Sequence, residues 1–144
     1  MQETKERSYE RLQPLGQHQT GERLLLRGAA IVGLGGVALI HVLDLQAKLE
    51  EVPYIGYLYI GLILGSLWAA AALVRRDSRP AWLVGGAISL ATIIGYALTR
   101  SVGLPGATED IGNWLEPLGL ASLFVEAWTV LVVGWALWVP PRYT

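Results

Sequence analysis

Residues 118–139 read LGLASLFVEAWTVLVVGWALWV, twenty-two consecutive positions with a single charge, Glu126. About 20 apolar residues in a helix cross the roughly 30 Å of hydrocarbon in a bilayer. A helix also satisfies its own backbone there, where no water can. A soluble core helix of this length would show a charged face, and none is present. The same reading extends to 24–43 (interrupted by Arg27 near its start), 54–74 and 81–99, each 19 to 21 residues long. The expected fold class is all-α: a polytopic bundle of four transmembrane helices. A polar tail over 1–22 precedes a membrane domain over 23–144.

Composition agrees. Hydrophobic residues make up 53% of the 144 and charged residues only 16%, below the usual quarter. Disorder needs the opposite balance. A net charge of -1 offers no basic footprint for nucleic acid. With no cysteine, thiol redox, disulfides and Cys-ligated metal or Fe–S sites are excluded. The first span ends in His41-Val42-Leu43-Asp44 and not in a small-residue cleavage site, so it reads as a retained helix.

Direction follows from Lys and Arg, which accumulate on the cytoplasmic side. One side holds Lys5, Arg7, Arg11, Arg23, Arg27, Arg75, Arg76, Arg79 and Arg142; the other holds Lys48 and Arg100. Both termini are therefore expected in the cytoplasm, with the protein in the plasma membrane. Tyr54, Tyr57 and Trp114 are expected as interfacial anchors outside, and Trp82, Trp135, Trp138 and Tyr143 inside. The connector over 75–80 makes spans two and three an antiparallel pair. A short connector is expected near Gln46 to Pro53. The only long loop, 100–117, is punctuated by Gly103, Pro105, Gly106 and Pro117, with a short helical turn expected over Glu109 to Trp114. The first 22 residues are expected to be a mobile or peripheral tail.

Inside the bundle, small residues and polar contacts must draw the helices together. Gly61, Gly65 and Ala69 form a small-residue ridge on span two, and Gly28, Gly33, Gly35 and Gly36 make span one suited to close packing. Gly85, Ser89, Thr92, Tyr96 and Thr99 share one face of span three, and Gly119, Ser122, Glu126 and Thr129 one face of span four. The two stripes are expected to face each other or a shared centre.

Glu126 is the sharpest chemical signal. It lies roughly 12 Å below the outer edge of its span, at about 1.5 Å per residue, and a carboxylate near the midplane costs about 2.5–3.5 kcal/mol. It reads either as a proton or cation site, with Tyr96, Thr92, Ser122 and Thr129 around it, or as an acid hydrogen-bonded to Tyr96, Thr92 or a carbonyl as structural glue. A second polar layer holds His41 and Asp44, one turn apart, and Arg100. Asp44 is placed to orient the imidazole, or both to bind a metal with Glu109, Asp110 or Glu116; Arg100 is placed to pair with Asp44 or Glu116, or to reach headgroups. Whether a metal or cofactor binds stays open. A single intramembrane His excludes bis-His haem within one chain, and spans without Lys exclude a retinal Schiff base. No nucleophile–base pair or phosphate loop is visible, so an enzyme is not expected.

The run Thr99-Arg100-Ser101-Val102-Gly103-Leu104-Pro105-Gly106, followed by a Pro-Leu-Gly lead into a last helix with Glu126, resembles a TRxxGLPG-type loop of small uncharacterised four-helix membrane proteins of high-GC Gram-positive and related bacteria. That resemblance covers spans three and four with their loop and implies no activity. The leading expectation is a non-enzymatic accessory or structural subunit that binds lipid, other membrane subunits or its own copies through its helices. The alternative is a small proton- or cation-coupled transporter using Glu126, with a polar site facing outward.

Overall fold

A computed structural model describes residues 2–139, with side chains from residue 21 onward. Four helices make up the fold: α1 (Gln2–Glu51), α2 (Pro53–Arg75), α3 (Arg79–Ser101) and α4 (Pro117–Trp138). No strand is present among the described residues. Each of the four contains a stretch long and apolar enough to cross a membrane. α2, α3 and α4 all open with proline in the first turn, where the missing N–H has no helical partner to lose.

The helices pack in cyclic order. α1 touches α2 and α4, and α3 closes the square from the opposite corner. One end of the bundle carries the 76–78 connector; the other carries the 102–116 loop. Gly33 and Gly36 let α4 approach α1, because side chains there would strike Thr129 and Val125. Gly28 and Gly35 face open space. On α2 the small-residue ridge packs in its lower part, Gly65 against Ile88 with Ala69 buried, whereas Gly61 faces open space.

The larger apolar core lies at the connector end, where Ala30, Leu34, Ala69, Leu73, Trp82, Val133 and their neighbours pack together; a smaller one of Val52, Ile55 and Ala107 lies at the loop end. Trp82 corrects an expectation. It is not an interfacial anchor but 1% exposed, its indole N–H donating to Asp77 Oδ1 at 2.6 Å. Arg23 and Arg27, read only as orienting charges, also cap helix ends. Arg23 pairs with Asp77 at 2.7 Å and donates to the Ala136 and Val139 carbonyls; Arg27 donates to the Leu73 and Val74 carbonyls. These are last-turn carbonyls that have no helical N–H, and a cation suits that end of the macrodipole.

The connector expected near 46–53 is smaller than the sequence implies. α1 continues to Glu51, and Val52 alone separates it from α2, so Asp44 and Lys48 are helical. The backbone of α1 is likewise unbroken from Gln2 through residue 22. Arg142 and Tyr143 lie outside the described residues.

Candidate functional site

At the loop end the four helices stop touching at the centre and enclose a cavity of about 550 Å³. Between Ser89 and Arg100, α3 has no fully buried residue. The expected polar stripes meet here: Thr92, Tyr96, Thr99, Gly119, Ser122 and Glu126 line the cavity, together with His41, Asp44 and Arg100. Thr129 and Ser89 are buried deeper and do not reach it.

The floor is a carboxyl facing an imidazole. Glu126 is 1% exposed. Its Oε1 accepts from Ser122 at 2.7 Å and lies 3.8 Å from His41 Nε2; its Oε2 has no partner. The His41 ring is set from its other side. Nδ1 is 2.8 Å from the Val37 carbonyl, which can only accept, so Nδ1 carries a hydrogen and Nε2 is the nitrogen that faces Glu126. Tyr59 packs edge-on against the ring at 4.6 Å between centroids.

Of the glue partners expected from sequence, Tyr96 is engaged elsewhere and Thr92 faces Glu126. Tyr96 donates its hydroxyl to the Trp114 carbonyl. Thr92 faces the carboxyl but spends its hydrogen on the Ile88 and Ser89 carbonyls. Ser122, the closest hydrogen-bond donor to Glu126, stands one turn away on the same helix.

The mouth is an ion network on the loop. Arg100, 8% exposed, pairs with Asp110 at 2.8 Å and Glu116 at 3.0 Å, and its Nε donates to the Asn113 carbonyl. Its guanidinium also lies over Tyr96. The expected pairing with Glu116 is present; pairing with Asp44 is not, because Arg100 is consumed by the loop while Asp44 accepts from Tyr59 at 3.3 Å. Lys48 bridges Glu51 and Asp110. Glu116 also caps α4 by accepting from Gly119 N–H.

The loop itself is a chain of turns, not the helical turn expected over Glu109 to Trp114. Gly103 at φ 76° ends α3 in the left-handed region, the usual C′ glycine. Leu104 and Ala107 exchange both backbone hydrogen bonds around Pro105-Gly106, and Gly106 at φ 75° suits the third position of a type II turn. Tyr54 fastens this turn by donating to the Pro105 carbonyl.

Sequence reasoning missed Tyr59 and Lys48 as lining residues. For Tyr59 a signal existed: Ile55, Tyr59, Leu62 and Ser66 repeat at helical spacing and share one face of α2. Lys48 was hidden by the expectation that the helix had already ended. Among the described residues no three His, Asp or Glu side chains converge as metal ligands would.

One side of the cavity is open. α2 and α3 touch at Gly65 and Ile88, but beyond that level they separate. Leu58 lines the cavity and yet is 64% exposed, Ala91 opposite is also exposed, and nothing stands in front of Gly95.

No family model matches the chain, and no curated protein or solved structure matches it.

Proposed function

We propose that this chain is a four-span protein of the bacterial plasma membrane, with both termini cytoplasmic, and that it acts non-enzymatically as a small proton- or cation-linked transporter. Its site is the cavity, which in that orientation faces outward. The observation that carries the reading is the state of Glu126. Its close hydrogen bond comes from Ser122 of its own helix, His41 of α1 and Thr92 of α3 face it without closing a short bond, and its second oxygen has no hydrogen-bond partner in a buried position. An unsatisfied buried polar group costs about 1–3 kcal/mol, so its retention speaks for use. The groups that act on it are Ser122 from its own helix, His41 from α1 and Thr92 from α3.

A non-enzymatic accessory subunit that binds lipid or membrane partners is the second reading; the polar-floored cavity of about 550 Å³ supports the transporter reading.

Infrared difference spectra between pH 5 and pH 9 test the reading. The wild-type protein is expected to show a protonated-carboxyl band that is absent in Glu126→Gln and displaced in His41→Gln. Identical spectra from wild type and Glu126→Gln would return Glu126 to a structural role. Orientation has its own test. The chain has no cysteine, so one introduced at exposed Glu109 should react with an impermeant thiol reagent on intact cells, and one at Ser78 only after lysis. The reverse pattern would turn the cavity toward the cytoplasm.

A further inference from the structure

The cavity is mismatched in charge. Asp44, Asp110, Glu116 and Glu126 line it against Lys48 and Arg100. Both bases are already committed, Arg100 to Asp110 and Glu116, Lys48 to Glu51 and Asp110. What the floor lacks is a close donor: Glu126 Oε2 has no hydrogen-bond partner, and His41 Nε2 stands 3.8 Å from Oε1, beyond hydrogen-bond distance. An anion would add a further acceptor and a like charge. A hydrated metal ion would find no third ligand converging there. An ammonium group brings several N–H donors and the missing positive charge at once.

The walls define the rest of the ligand. Ile40, Leu58, Leu62, Ile88 and Leu118 line the space above the floor, and Leu58 and Ala91 frame the opening between α2 and α3. That opening faces the side of the bundle, where the bilayer lies, while the end of the cavity is covered by the Arg100–Asp110–Glu116 network.

Resting on the transporter reading above, we infer that the cavity takes amphipathic amines: a primary or secondary ammonium seated between Glu126 and His41, with an apolar body along Leu58 and Leu62, admitted from the membrane between α2 and α3.

The test uses the full chain in phosphatidylcholine nanodiscs, with n-octylamine as the probe, n-octanol as its neutral match, and empty discs to subtract partitioning. Calorimetric titration should give octylamine at least a tenfold tighter binding than octanol. Glu126→Gln should reduce that preference to less than threefold. Leu58→Trp keeps the carboxyl and narrows the opening, and should weaken octylamine at least fivefold. Equal affinity for amine and alcohol, or an unchanged preference in Glu126→Gln, would overturn the ligand class; wild-type affinity in Leu58→Trp would overturn the lateral route. If neither probe binds but the Glu126 infrared band still responds to pH, the amine inference fails and the proton site survives. Loss of both signals ends both readings.

Discussion

Arg100→Met should lower folding stability by about 1.5–3 kcal/mol, the range for hydrogen bonds to charged groups, with a fall of roughly 5–10 °C in the thermal midpoint. The guanidinium is 8% exposed and holds Asp110, Glu116 and the Asn113 carbonyl together. Methionine keeps the apolar length but leaves Glu116 without a cation and Asp110 with Lys48 alone. Most of the loss is therefore poor solvation of the acids, not loss of attraction. The combination of Arg100→Met with Asp110→Asn and Glu116→Gln should recover at least half of it, because non-additivity of this kind marks groups in one network. Thermal unfolding in mild detergent measures both. A triple variant no better than the single one would mean that Arg100 acts by packing on Tyr96 and not through its charge.

Gly56→Val should be the second large loss, at least about 1–3 kcal/mol, the typical cost of forcing atoms into a filled site. A Cβ at Gly56 would stand 2.9 Å from the Leu49 Cα, which is backbone and cannot swing aside. With Val52 the sole residue between α1 and α2, the clash must be relieved by opening the two helices. That opening draws Tyr59 away from His41 and Asp44, so octylamine binding should weaken together with stability. Gly61→Val, where nothing lies within 4 Å, is the matched control and should stay within about 0.5 kcal/mol of wild type. Equal midpoints for the two variants would show that the helix pair yields without cost.

The four helices were legible because hydrocarbon thickness and the absence of charged faces constrain length and composition strongly. The stripes on α3 and α4 were legible from spacing alone, and so was the prominence of Glu126, since depth is a count along the chain. What could not be read was who spends which hydrogen. Tyr96 and Thr92 sit beside Glu126, but their hydroxyls go to the Trp114, Ile88 and Ser89 carbonyls, and backbone acceptors leave no trace in side-chain spacing. The destination of Arg100 was hidden for a related reason. Asp44 and Glu116 were the partners in view, Asp110 was not, and only the turns set by Gly103 and Gly106 decide which acids come within reach. The end of α1 was misplaced because Lys48, Glu50 and Glu51 resemble a loop in composition while remaining good helix formers.

The gap between α2 and α3 changes what concentration means for this protein. A site filled sideways equilibrates with the bilayer, which acts as an extraction phase upstream of it. Each methylene added to a ligand favours the hydrocarbon by about 0.8 kcal/mol, roughly fourfold in partitioning. Occupancy referred to the aqueous dose would then climb about fourfold per carbon even if the cavity itself were indifferent to chain length. Across a homologous series of amines, selectivity judged from the medium would belong largely to the lipid, and that judged from the membrane-dissolved fraction to Glu126 and His41.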